Sequence, residues 1–175
     1  DLHFNLPYIM KIYTNTELDS ICTGFIAHLY TNYGESDIYW FFKLLYATGA
    51  RYSDMIGFFD WQITATNFLY IGIKNKRPAV VPFSVCDFDI LTFYNTYNSL
   101  LNLNITYSVL LGYWYACAPT MTIGGSKQLG LHVFRHNKAK LLYDNGFGID
   151  DIQNIIGDGR ATVLNKYVNS VIYSL

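Results

Sequence analysis

Residues 131–167 read LHVFRHNKAKLLYDNGFGIDDIQNIIGDGRATVLNKY, and the punctuation of this stretch sets the fold class. Its apolar spacing predicts a helix over Leu131–Asn145, closed by an Asn-Gly turn. Shorter helical patterns follow over Asp151–Ile156 and Thr162–Val168. His132 and Arg135 stand at the start of the first helix, about 60° apart around its axis, so two polar side chains can address one ligand. Phe134, Leu141 and Leu142 face elsewhere. Taken alone, such a pair reads more readily as a solvated helix face.

Working upstream, Leu18, Ile21, Phe25 and Leu29 recur at helical spacing and predict a helix over Thr16–Tyr30, with Thr14 or Asn15 as its cap. A second helix begins after Ser36, whose neighbour Asp37 can also cap, and runs to Gly49. A third spans Arg51 to Gly57. From Trp61 to Phe83 the pattern turns β-branched and aromatic, with FLYIGI and PAVVPF flanking Lys74–Arg77, which reads as a hairpin with a basic tip. Helical patterns resume over Asp87–Leu100 and Thr106–Cys117. The expected class is α+β, mostly helical with a small antiparallel sheet. GGSKQLG at 124–130 lacks the spacing of a phosphate-binding loop and reads as a connection before the Leu131 helix.

The 175 residues are one domain's worth, and a hydrophobic content of 51% excludes a disordered chain. The longest apolar stretches, around Ile38–Leu45 and Tyr107–Ala118, are too short to span a bilayer, so no membrane partner is expected. Cys22, Cys86 and Cys117 lie far apart without metal-ligand spacing and read as buried apolar residues in a reducing compartment. Histidines at 3, 28, 132 and 136 do not form a metal set, and no metal is expected. The net charge of −1 is unusual for a nucleic-acid-binding domain, but it is unevenly spread: residues 1–60 carry −4, residues 61–143 carry +5 and residues 144–175 carry −2. The middle of the chain can present a basic face. Candidate phosphate contacts there are Lys76, Arg77, Lys127 and Lys138.

With the outer motifs included, the chain resembles the catalytic domain of tyrosine recombinases, the phage-integrase family. HVFRH at 132–136 is similar to that family's His-x-Leu-Arg-His box, and LLYDNG, DDIQNIIG and DGRATVLNKY follow in the family's order. Tyr167 stands nine residues after Asp158, the family's interval between its third box and its nucleophile. LLYATGARYSDMIGF at 44–58 is similar to the first box, placing Arg51 at the arginine position. IKNKRPAVVP at 73–82 looks like the family's hairpin, with Lys74 the better match for its lysine and Lys76 the alternative. The likeness runs from about residue 8 to residue 170.

The resemblance implies a recombinase catalytic fold over residues 1–175 and a further DNA-clamping domain N-terminal to it, absent from these residues. It implies cleavage and rejoining of DNA strands through a 3′-phosphotyrosine, for integration or recombination of a mobile element. Double-stranded DNA and further copies of the protein, as a dimer or tetramer on DNA, are the implied partners, with no cofactor. The implied location is the cytoplasm or nucleoid of a prokaryotic host, or the host compartment holding the target DNA. In this scheme Arg51 and Arg135 hold the phosphate, since a planar guanidinium binds two of its oxygens and stays charged. Tyr167 is the nucleophile, Lys74 the acid for the leaving oxygen, and His132 a base or hydrogen-bond donor with an unperturbed pKa of about 6.5.

Asp158 departs from the pattern, because the family carries His or Trp there and a carboxylate cannot donate to phosphate. Three readings stand: a partner orienting His132 or Arg135, a protonated acid, or a weakened enzyme. Arg51 also reads as a helix cap or a partner of Asp54, the Lys74–Arg77 cations as a solubilising turn, and His136 as a structural histidine pointing away from the site. Two other functions share these residues. One is a type IB topoisomerase; the other is a degenerate relative that binds DNA or builds a particle.

Overall fold

The computed structural model describes residues 10–12, 15–117, 130–168 and 172–174. Strand β1 (Met10–Ile12) is followed by helices α1 (Asn15–Tyr33), α2 (Asp37–Thr48) and α3 (Tyr52–Met55). A three-stranded antiparallel sheet comes next, in the order β2 (Gln62–Ile63), β3 (Asn67–Ile71) and β4 (Pro78–Pro82). Helices α4 (Ile90–Tyr97), α5 (Tyr107–Ala116), α6 (Val133–Asp144) and α7 (Ile149–Ile156) lead to a short α8 (Arg160–Thr162). This winds into a π-helical segment over Val163–Val168, and β5 (Ile172–Ser174) pairs antiparallel with β1. The fold is therefore α+β, mostly helical with a small three-stranded antiparallel sheet and a separate β1–β5 pair. No helix among the described residues is long and apolar enough to cross a membrane.

The elements follow local chemistry closely. Ser36 caps α2 by accepting from the Tyr39 amide, and Asp89 caps α4 by accepting from the Thr92 amide. Strands β3 and β4 pair Phe68 with Val81 and Tyr70 with Ala79, and these four residues turn inward. The hairpin is joined on its far edge by β2, a two-residue strand that expectation had merged into its neighbour. Helix α1 extends three residues past Tyr30 to Tyr33, and α4 is confined to the middle of its expected range. The capping candidates Thr14 and Asn15 lie outside the described side chains, and most of the GGSKQLG connection lies outside the described residues.

Two hydrophobic cores meet along α6. The larger holds Phe25, Phe41, Phe42, Phe58, Phe68, Trp114 and Phe134, with Phe25 edge-on to both Phe42 and Trp114. The smaller joins Ala139 and Leu142 of α6 to Ile152, Ile155 and Ile156 of α7 and to Val163, Tyr167 and Val168. Every residue of α6 from Val133 to Lys140 is buried. Its polar side chains must therefore find partners inside. Asn137 donates to Asp19 at 3.1 Å, Lys138 to the Val85 carbonyl at 2.5 Å and Lys140 to the Val168 carbonyl at 3.0 Å.

Gly49 ends α2 in the left-handed region, with φ 71°, and turns the chain toward Arg51. A Cβ there would fall 2.7 Å from Ile156 Cδ1 and 2.9 Å from Lys138 Cβ, where the two cores join. Gly49→Ala is expected to destabilise the protein by about 3 kcal/mol, combining left-handed strain with overpacking. A urea unfolding midpoint unchanged from wild type would contradict that expectation.

Candidate active site

Five separate parts of the fold converge on one cleft of ≈ 360 Å³. The turn after α2 supplies Arg51, the β3–β4 turn supplies Lys74, and the start of α6 supplies His132 and Arg135. The turn between α7 and α8 supplies Asp158, and the π-helical segment supplies Tyr167. All six expected catalytic residues thus line the same space, although they are spread from position 51 to position 167. Single turns of π-helix are common where a side chain must be re-aimed, and this one sets Tyr167 against α6.

Arg135 is the hub. Its Nη1 donates to the Gly49 carbonyl at 2.9 Å, its Nη2 to Asp158 Oδ2 at 2.7 Å and its Nε to the Tyr167 hydroxyl at 3.1 Å. Its side chain is only 1% exposed. Burial works against the charge, but Tyr167, Asp158 and Tyr70 outweigh it and hold the guanidinium pKa above its ordinary value. Arg51, more exposed, donates from Nη2 to Asp158 Oδ1 at 2.7 Å. The two arginines are thus bridged by one carboxylate.

That bridge narrows the readings of Asp158. It contacts Arg51 and Arg135, and Asn75 Nδ2 also donates to its Oδ1 at 3.2 Å. Burial alone would raise its pKa, yet Arg135 and then Arg51 reverse the effect, so the carboxyl titrates below the usual range and is ionised at neutral pH. A protonated Asp158 is excluded in this arrangement. The role the geometry supports is orientation of both guanidiniums.

Tyr167 lies in the smaller core and lines the cleft, its hydroxyl 2.8 Å from His132 Nε2. Burial raises its pKa and Arg135 pulls it back, leaving a net rise, so the phenol is protonated at neutral pH. In the tautomer with Nε2 unprotonated, His132 accepts that proton while Arg135 donates to the same oxygen. The arrangement can create a phenolate by proton transfer to the imidazole.

Lys74 is exposed on the hairpin turn, with Nζ 5.8 Å from the Tyr52 ring centroid at the cleft wall. Lys76, in the left-handed region with φ 57°, and Arg77 are exposed on the same turn. Lys127 lies outside the described residues. Lys138 must be corrected: it is 6% exposed, its Nζ is spent on Val85, and burial lowers its pKa, so it is no surface contact for nucleic acid. His136, expected to point away from the site, instead faces the site tyrosine: it is buried and meets the Tyr167 ring edge-on at 5.8 Å. Arg51 pairs with Asp158 and makes no side-chain cap. Asp54 instead accepts from the Ile73 amide and anchors the entry to the hairpin turn. Two of the cysteines, Cys22 and Cys117, are buried, Cys86 is half-buried, and none of the three is in a disulfide.

Asn75 is the residue that sequence reading passed over. Its Nδ2 donates to the Gly157 carbonyl at 2.8 Å as well as to Asp158, locking the hairpin turn onto the α7–α8 turn. Gly157, with φ 76°, permits the approach, since its Cβ would press on Ala79 at 3.0 Å. Asn in a turn is a common local signal, but nothing local announces a partner 82 residues away. Tyr70 was also missed; it is stacked on Trp61 and buried, and burial pushes its hydroxyl up to about 12 despite Arg135 and Arg51. No family model matches the chain, and a search of curated proteins finds no match.

Proposed function

We propose that this cleft binds a phosphodiester of double-stranded DNA and that Tyr167 attacks it, as in a tyrosine recombinase. The observation that carries the reading is the setting of Tyr167. Its hydroxyl is 2.8 Å from His132 Nε2 and 3.1 Å from Arg135 Nε, in a cleft that also holds Arg51 and Lys74. A buried phenol given both a proton acceptor and a guanidinium is arranged for nucleophilic use.

In the proposed step the Tyr167 proton passes to His132 while its oxygen bonds to phosphorus. The bond from phosphorus to the 5′ oxygen breaks, Lys74 protonates that oxygen, and Arg51 and Arg135 offset the charge growing on the non-bridging oxygens. The 3′-phosphotyrosine keeps the energy of the broken bond, so a 5′ hydroxyl from another strand can reverse the step. Lys76 and Arg77, exposed on the same turn as Lys74, are the proposed contacts to the DNA backbone. The finer fold assignment, the recombinase catalytic fold, belongs to this reading, as do a dimer or tetramer on DNA and service to a mobile element.

The test is a nicked duplex from the native locus, on which cleavage releases a short strand and traps the intermediate. Wild type is expected to form a denaturation-resistant adduct, and Tyr167→Phe to form none. Equal adduct from both proteins would remove Tyr167 as the nucleophile. A second reading, a relative that binds DNA without cutting it, is favoured by Asp158 already satisfying both arginines. Absence of any wild-type adduct, with duplex binding retained, would select it.

A further inference from the structure

The anion position of the cleft is occupied by the protein itself. Each nitrogen of the Arg135 guanidinium already has an acceptor, in Tyr167, Gly49 and Asp158, and its side chain is only 1% exposed. Arg51 and Arg135 each meet one oxygen of the Asp158 carboxylate at 2.7 Å. A carboxylate and a phosphodiester both present two oxygens sharing one negative charge, at the short distances expected of charge-assisted bonds. Asp158 therefore sits as a phosphodiester would sit between the same two guanidiniums.

The geometry points to Asp158 as an internal competitor of the phosphate: it closes the resting cleft, and Asn75 on the hairpin turn is the latch that keeps it there. The inference rests on reading the cleft as a phosphodiester site. Gly157 and Gly159 flank Asp158 in the turn between α7 and α8, so the carboxylate is borne by a segment with glycine on both sides. Asn75 ties this turn to the hairpin through Gly157 and Asp158. It lies between Lys74 and Lys76, both exposed, so a strand drawn to those cations pulls on the residue that holds the latch. The apparent affinity of the cleft for any phosphate is then lowered by the fraction of molecules in which Asp158 is in place.

Inorganic phosphate titrated into the full 175-residue chain, followed through the arginine side-chain Nε–H signals, tests this without DNA chemistry. Asp158→Asn, which removes the competing charge, is expected to bind phosphate about tenfold or more tightly than wild type. Asn75→Ala, which keeps the carboxylate and removes the latch, should tighten binding by about threefold, and Arg51→Ala added to Asp158→Asn should erase the gain. A folded Asp158→Asn with wild-type phosphate affinity overturns the proposal. If that variant does not fold, Asn75→Ala decides, and unchanged affinity there overturns it equally. Its failure is separable from that of the strand-cleavage reading. Tighter phosphate binding without a Tyr167 adduct leaves the competitor standing and removes cleavage, whereas an adduct without tighter binding removes the competitor alone.

Discussion

Arg135→Ala is expected to lower formation of the Tyr167 adduct by a factor of about 10² to 10³, the scale of losing one preorganised donor to a developing oxyanion. The same change is expected to cost about 3 to 5 kcal/mol of stability, because it removes a buried partner from an ionised carboxylate. Both effects come from one side chain that holds Gly49, Asp158 and Tyr167 together. Arg135→Lys should rescue little, since one ammonium cannot reproduce a planar fork reaching three acceptors in different directions. Arg51→Ala separates the two effects. Arg51 is more exposed, and the anion it pairs with, Asp158, is also held by Arg135, so adduct formation should fall as far while stability falls less. The comparison needs single-turnover adduct yields and urea midpoints for the three variants. An Arg135→Ala protein as stable as wild type and within threefold of its yield would show that this hub is not the centre of the site.

Much of this arrangement is legible in the residues themselves, for a specific reason. Gly49, Asn145-Gly146 and Gly157 are punctuation, and punctuation acts locally. Gly49 and Gly157, at the helix ends, decide which way Arg51 and Asp158 leave the backbone. The basic hairpin turn is legible in the same way, because β-branched runs on either side of a polar tip pair with each other and with little else. What cannot be read is burial on a helix that is polar by composition. VFRHNKAKLLYD has the look of a surface segment, so Lys138 reads as a surface cation, yet two cores close over α6 and its amine is paired with Val85. A lysine buries its stem readily when its end meets a carbonyl, and that carbonyl is supplied by a turn 53 residues earlier. The Asn75 contacts fail to show for the same reason. Long-range polar pairing leaves no periodicity.

The bridge from Asp158 to two arginines is likewise a product of three dimensions, and it has a consequence for stability. Asp158→Ala is expected to destabilise the protein by about 3 kcal/mol at neutral pH, since it leaves the buried Arg135 and its neighbour Arg51 facing each other without the anion between them. The loss should depend on pH in a definite direction. The folded carboxyl titrates below its unfolded value of about 3.9, so its contribution is complete above that value and disappears as pH falls through the lower folded pKa. Wild type should therefore lose stability steeply on acidification below about pH 4, while Asp158→Ala starts lower and falls less over the same interval. Asp89, also held low by its bonds to Thr92, remains in both proteins and keeps the variant's acid limb from vanishing. Among the described residues, Arg51, Arg135 and neutral Asn75 bond to Asp158 directly, and Tyr167 interacts with it across Arg135. Added sulfate or phosphate should restore part of the variant's stability at neutral pH, since an external anion can then enter between the arginines. Parallel stability curves for the two proteins from pH 7 to pH 2 would mean that the Asp158 carboxylate gains nothing from its two guanidiniums, and the bridge would lose its claim to hold the site in shape.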